Sequence, residues 1–309
     1  MKECRMLFSG YSGPREDLVW ARVGPEGGLR VMGGLRQGGN PSFACRLGDA
    51  VYTVSERPDG AEVTSYALAG DGLERTGSLA LPGMRGLCHL AAAQGKLYGS
   101  CYESGHFFAL DAGLSRVLWT FLPPGTPRAH WTQEAQGRLC LADLGNSRVY
   151  RFALEDGLPS GESQTLSLPA GSGPRQPLAL DGGLLAVVCE LDGMLRFYRE
   201  DAACVFELPA SQTPGPNAPG GACRMGDVLL VGNRGPDTVS ALRMTPQGPQ
   251  RLGEWPTGHW PRHLACVGEW VFVACDRGGE VWQYRWDGAA LKRLAVLPLP
   301  GAACSLMLD

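Results

Sequence analysis

Glu190 and Arg234 hold the same place in two segments of the chain. Each directly follows the residue that breaks a short apolar run, Cys189 in "LLAVVCEL" and Asn233 in "VLLVGNRG". His130 and Arg175 precede the corresponding breaks, Asp143 and Cys189, by 13 and 14 residues. Brought together, side chains of these types have a definite chemistry. Two guanidiniums grip a carboxylate or phosphate through paired hydrogen bonds and keep their charge at any working pH. A carboxylate between them stays ionised, because nearby positive charge lowers its pKa. It can orient and deprotonate a water that attacks an ester carbonyl. An imidazole titrates in the range needed to protonate a departing alkoxide, and an arginine can stabilise the tetrahedral oxyanion. The same charges could instead be ion pairs that staple neighbouring elements, a role that Arg148, Asp237 and Glu280 also fit.

Which elements could bring residues so far apart in sequence to one place? Seven short apolar segments end in a small or polar break: "MLFSGYSG", "AVYTVSER", "KLYGSCYE", "RLCLADLG", "LLAVVCEL", "VLLVGNRG" and "VFVACDRG". The break residues are Gly10, Ser55, Cys101, Asp143, Cys189, Asn233 and Cys275, separated by 45, 46, 42, 46, 44 and 42 residues. A second strand follows most breaks ("HFFAL", "SRVYRFAL", "EVWQYRW"), and another short strand, often introduced by proline, precedes them ("PRAHWTQ", "WPRHLACVGE"). Groups of about four strands recurring every 40–50 residues predict an all-β, seven-bladed β-propeller with four-stranded blades. Proline and glycine fall too densely for a helical repeat. The C-terminal "GAACSLMLD" has no strand after it, and the N-terminal "CRMLFSGYS" has no strand before it. The two ends are expected to share one blade and close the ring, making residues 1–309 a single domain. Inner strands and their entering loops face a propeller's axis, so His130, Arg175, Glu190 and Arg234 could converge at one mouth of the channel. In "DLGNSRV", Asn146 and Ser147 are expected to form a hairpin turn, with Asp143 beside the channel.

Composition agrees and removes other classes. The 44 glycines and 23 prolines among 309 residues suit many short strands, and 44 % hydrophobic residues support a substantial core. A net charge of −3 gives no reason to expect nucleic acid or an anionic membrane as partner. No apolar run reaches the roughly 18 residues of a spanning helix, and "MKECRMLFSGYSG" lacks a signal peptide's apolar stretch, so a cytoplasmic location is expected. Eleven cysteines without C-x-x-C spacing read as reduced core residues; "FAC", "GAC", "LAC" and "AAC" repeat one local context. No G-x-S-x-G elbow, Walker loop or dinucleotide glycine loop occurs, and neither a metal nor a cofactor is expected. His89, His106 and His259 read as ordinary loop or channel histidines. Trp255, Trp260 and Trp282 could line a mouth or cap the layers between blades. The sequence carries no signal for an oligomeric state.

Seven motifs, in order and at blade spacing, resemble the lactonase family of seven-bladed propellers, which includes propeller-type 6-phosphogluconolactonases and fungal carboxymuconate cyclases. They are "NPSF" (Asn40–Phe43), "PRAH" (Pro127–His130), "DLGNSRV" (Asp143–Val149), "GPR" (Gly173–Arg175), "CEL" (Cys189–Leu191), "NRGPDTV" (Asn233–Val239) and "PRHL" (Pro261–Leu264). The resemblance implies an active site of His130, Arg175, Glu190 and Arg234 around the central channel. The chain departs from the family at Ser55, Cys189 and Cys275, where asparagine is common, and at Gln176 and Pro177, where His-Leu is common.

The expected activity is a metal-independent hydrolysis of an anionic sugar-acid lactone, with 6-phosphogluconolactone as the family's default substrate. Glu190 would be the general base and His130 the acid; Arg175 and Arg234 would bind the substrate's anion. Asp143 belongs with the substrate-binding set, orienting an arginine or His130. Two alternatives stand beside this: a muconate-type lactone cyclase using the same cations, and a non-catalytic binding propeller whose charges are blade staples. The few lysines (Lys2, Lys96, Lys292) lie in none of the motifs.

Overall fold

A computed structural model describes residues 3–308. They form seven four-stranded antiparallel sheets arranged as the blades of a β-propeller. In blades 2 to 7 the strands follow chain order from the axis outwards, starting with Ala44–Leu47, Ala50–Arg57, Gly60–Ala69 and Gly72–Ala80 in blade 2. Blade 1 is assembled from both ends of the chain. Its inner strand is Ala302–Met307, paired antiparallel with Cys4–Gly10, and Leu18–Val23 and Leu29–Leu35 complete it. The helical content of the described residues is one 3-10 turn, Asp181–Gly183, and no helix is long and apolar enough to cross a membrane.

The break residues end, or nearly end, the second strand of each blade. These strands are sandwiched between neighbouring blades, so both of their faces are covered. They accordingly read as continuous apolar runs rather than alternating ones: Leu185–Cys189 and Val228–Arg234 are buried throughout. The outer strands alternate instead; Leu291–Pro298 exposes most of one side. Core clusters therefore lie between blades. Leu230 and Val239 of blade 6 share one cluster with Val271 and Val273 of blade 7, and Phe8 meets Phe272 across the closure at 5.8 Å between ring centres.

One expectation about the cysteines is corrected. Cys223 and Cys266 form a disulfide, with Cα atoms 6.1 Å apart, between the inner strands of blades 6 and 7. The shared sequence context places both on neighbouring inner strands, and that juxtaposition brings them within bridging distance. The other nine cysteines are unbridged, and all but Cys204 are buried.

Ring closure makes a prediction. Truncation after Pro300 removes the strand that pairs with Met6–Gly10 and takes Ala302 out of the cluster holding Phe8 and Phe272. The resulting edge and gap should abolish cooperative unfolding or leave the protein in aggregates. Thermal melting monitored by circular dichroism checks this; a soluble truncation with an unchanged midpoint would refute closure by the C-terminal strand.

Candidate active site

Two rings of side chains meet at one end of the channel, and the strand register explains both. In the inner strands, pairing with the second strand skips one residue: between Leu87 and His89, Ala129 and Trp131, Pro174 and Gln176, and Pro261 and His263. The skipped residues are Cys88, His130, Arg175 and Arg262. Such a bulge bends the strand and re-aims the extra side chain, here towards the axis. Opposite each bulge the second strand ends, and the residue after the break forms the other ring: Tyr11, Glu56, Tyr102, Leu144, Glu190, Arg234 and Asp276 in blades 1, 2, 3, 4, 5, 6 and 7.

Four of the predicted site residues converge. Glu190 Oε2 accepts from Arg175 Nη1 at 2.5 Å and lies 2.9 Å from Arg234 Nη2. Arg175 Nη1 is also 2.6 Å from His130 Nε2, which in turn is 3.9 Å from Glu190 Oε2. His130, Arg175 and Arg234 are buried, and the Glu190 side chain is 20 % exposed. Backbone contacts set this arrangement. Gly173 O accepts from Glu190 N at 2.8 Å, joining the loop before Arg175 to the break before Glu190. Gly173 has φ +60°, and a Cβ there would run into the Leu191 side chain, so only glycine serves. Arg234 is held by donating from Nε to Ala218 O at 2.7 Å and from Nη2 to Pro219 O at 3.2 Å, with Trp260 against its guanidinium. Trp260 itself takes a left-handed φ of 67°, and its N–H donates to Asp237 Oδ1. Such strain in a bulky residue marks a constrained mouth.

The electrostatics follow from this packing. Burial alone would raise the Glu190 carboxyl, but Arg175 and Arg234 outweigh it and hold it well below the usual carboxylate range. Burial and the neighbouring Arg175 lower Arg234 to about 10, which leaves it charged at neutral pH. Burial, then Arg175, pushes His130 well below the ordinary histidine value. A guanidinium N–H can only donate, so His130 Nε2 must accept from Arg175 and the ring is neutral. Two guanidiniums against one carboxylate leave the group with one net positive charge.

Asp143 is not part of the group, contrary to expectation. Its Oδ1 accepts from Arg128 N at 2.9 Å and Asn146 N at 3.2 Å, and its Oδ2 accepts from Asn146 Nδ2 at 2.6 Å. The carboxylate is spent on its own hairpin, a four-residue turn in which Ser147 takes φ 52°, and on the backbone N–H of Arg128, and among the described residues it touches neither an arginine side chain nor His130. Asp237 similarly pairs with His259 at 2.7 Å, and Glu280 accepts from Trp282 Nε1 at 2.6 Å.

Sequence reasoning missed the other side of the mouth. Glu56 Oε2 accepts from Tyr11 Oη at 3.1 Å, from Arg262 Nη2 at 3.3 Å and from the Ser42 hydroxyl. Arg262 also lies over the Tyr11 ring. Two signals were available: Arg262 follows a proline in "PRHL" as Arg175 does in "GPR", and Glu56 and Asp276 follow their breaks as Glu190 follows Cys189. Beneath the two rings, aromatic side chains fill the channel. His89 stacks on Trp131 at 3.7 Å between ring centres, Phe43 lies 4.2 Å from His89, and His263 is 5.3 Å from Phe43. The small cavity there, lined by Phe43, Cys88, His130, Trp131, Arg175 and Arg262 among others, has about 10 Å³ of room, no more than one water needs. Among the described residues, no three His, Cys, Asp or Glu side chains are grouped to hold a metal ion.

No curated protein matches the chain. Among solved structures it is similar to one named "putative 6-phosphogluconolactonase" from Bacteroides fragilis, with 19% identity, 100% of this chain and 98% of that one covered, and a TM-score of 0.90. A structure of the same name from Bacteroides uniformis shows 20% identity, 99% and 100% coverage and a TM-score of 0.90. A protein from Lactobacillus plantarum gives 20%, 99% and 100%, and 0.89. At these identities the likeness establishes the fold. The family model described as lactonase, 7-bladed β-propeller, matches residues 6–295, and with that match the chain belongs to this lactonase family.

Proposed function

We propose that the protein hydrolyses an anionic sugar-acid lactone, of the 6-phosphogluconolactone kind, without a metal ion. The observation that carries this is the single Glu190 oxygen shared by Arg175 and Arg234, which leaves a net positive charge at a largely buried mouth. A phosphate or carboxylate on the substrate supplies the missing negative charge. A cytoplasmic location, with the unbridged cysteines as thiols, is part of the same proposal.

Glu190 is a weak base while both arginines hold it, because general bases work best with a pKa near the operating pH. An anion that draws on the same guanidiniums reduces their hold on Glu190 and raises its basicity. The substrate's charge thus both anchors it and prepares the base. Glu190 then takes a proton from water as the oxygen attacks the lactone carbonyl, and a guanidinium stabilises the oxyanion. His130 serves here by accepting from Arg175 and aiming it, since its Nε2 carries no proton to give.

A panel of lactones assayed by acid release tests this. Arg175→Met or Arg234→Met should raise KM for charged lactones by roughly 10–100-fold, the worth of a charge-assisted hydrogen bond, and change KM for neutral ones far less. A chelator should leave the wild-type rate unchanged. Equal losses on charged and neutral lactones would show that the arginines do not bind the anion.

A further inference from the structure

Three carboxyl groups stand in the ring of residues that follow the strand breaks, and two are tied to cations: Glu190 to Arg175 and Arg234, Glu56 to Arg262. Asp276 differs. Its backbone N–H donates to Trp260 O at 3.1 Å, which fixes the residue, but its side-chain oxygens take no hydrogen bond among the described residues. It is neither fully buried nor fully exposed. Asp276 and Glu190 occupy equivalent positions in blades 7 and 5, and Arg234 occupies the same position in blade 6 between them.

We propose that Asp276 is the proton donor of the site, the acid that protonates the ring oxygen as the lactone opens. This rests on the hydrolase reading above. The step balances without any further reactant. Water's oxygen bonds to the carbonyl carbon and its proton passes to Glu190; the carbon–ring oxygen bond breaks, and the ring oxygen leaves with its electron pair and takes the proton of the Asp276 carboxyl. Glu190 ends protonated and Asp276 ionised, and proton exchange with solvent restores both.

The surroundings support the assignment. Burial raises the Asp276 carboxyl from its ordinary value, against the lowering effect of Arg262, Arg277 and Arg234; Glu56 raises it further. Tyr11, on the same side, is neutral, its hydroxyl pushed up by burial, and His259 beyond Trp260 is paired with Asp237. Arg277 is partly withdrawn, stacked on Trp260 at 3.4 Å from the ring centre, and Arg262 is engaged by Glu56. Two carboxyls driven in opposite directions by their environments divide naturally into a base and an acid. Tyr102 and Cys88 at the mouth are also neutral, raised by burial, and His130 is occupied as an acceptor.

The test is the pH profile of kcat/KM on a sugar-acid lactone. Asp276→Asn should lower kcat by roughly a hundredfold or more, the usual worth of a positioned acid. It should also remove the alkaline limb of the profile, where wild-type activity falls as the acid loses its proton. Small carboxylic acids such as formic acid should partly rescue Asp276→Ala. If Asp276→Asn melts early, Asp276→Glu serves instead, and its alkaline limb should move rather than vanish. An Asp276→Asn protein with wild-type kcat, or an Asp276→Glu protein whose alkaline limb stays in place, overturns the role of Asp276 while leaving the hydrolase reading standing. A wild type that opens no lactone overturns both.

Discussion

Glu190→Gln should lower turnover of an anionic lactone by about a hundredfold or more, because the amide keeps the shape but cannot accept water's proton. It should also destabilise the protein. Glu190 Oε2 is the shared partner of Arg175 and Arg234, both only 5 % exposed at the side chain, and the amide leaves two guanidiniums facing each other without a compensating negative charge. Breaking a buried pair of this kind costs about 3–5 kcal/mol. A simple comparison of turnover with melting temperature therefore does not separate base from staple, since the same oxygen fills both positions. Two further measurements do. Phosphate should raise the melting temperature of Glu190→Gln more than that of the wild type, by supplying the lost negative charge, yet restore no activity. The double variant Arg175→Met, Glu190→Gln should regain stability relative to Glu190→Gln, because one buried charge goes with its partner, and should stay inactive. Full activity in Glu190→Gln would sink the base; an unchanged melting temperature would sink the pairing.

Much of this architecture was legible in the sequence. The breaks recur because each blade needs one covered strand that must stop at the channel, and the termini lack complementary strands because they share blade 1. That His130, Arg175, Glu190 and Arg234 would meet was legible because their motifs fall in register. Asp143 misled for a physical reason. A carboxylate that begins a turn can cap its own backbone amides, and local hydrogen bonds cost less order than reaching across a channel. The partner of His130 was not legible, because residue type says nothing of what the ring faces; its Nε2 meets a guanidinium. Arg262, Glu56 and Asp276 were hidden by treating each motif singly instead of reading one position around all seven blades. The Cys223–Cys266 bridge was hidden likewise, for repeated context signalled core packing while adjacency between blades made it a covalent link.

The histidines of the channel predict a steep loss of stability in mild acid. His89 Nδ1 accepts from Thr132 N at 3.2 Å, His263 Nδ1 accepts from Ser305 N at 3.2 Å, and His130 Nε2 accepts from Arg175. A proton added at any of these nitrogens would expel a donor that has no other place to point. Burial is the leading cause that holds all three low: His89 and His130 well below the ordinary value, and His263 down to about 3. The unfolded chain takes up these protons near pH 6.5, while the folded chain refuses them. Stability is thus complete above that pH and is lost as the pH falls towards the folded values. One pH unit below 6.5, each fully linked histidine costs about 1.4 kcal/mol, so the buried His89 and His130 together remove about 3 kcal/mol by pH 5.5. His263, partly exposed to the channel, adds a smaller amount. Glu190, held low by its arginines, adds a separate loss only below the ordinary carboxylate range. Urea unfolding at pH 7.5, 6.5 and 5.5 measures the slope, and His89→Asn, whose amide oxygen can take the place of Nδ1, should flatten it by one proton. A free energy of unfolding that stays level across that range would mean that the histidines titrate as freely in the channel as they do in water.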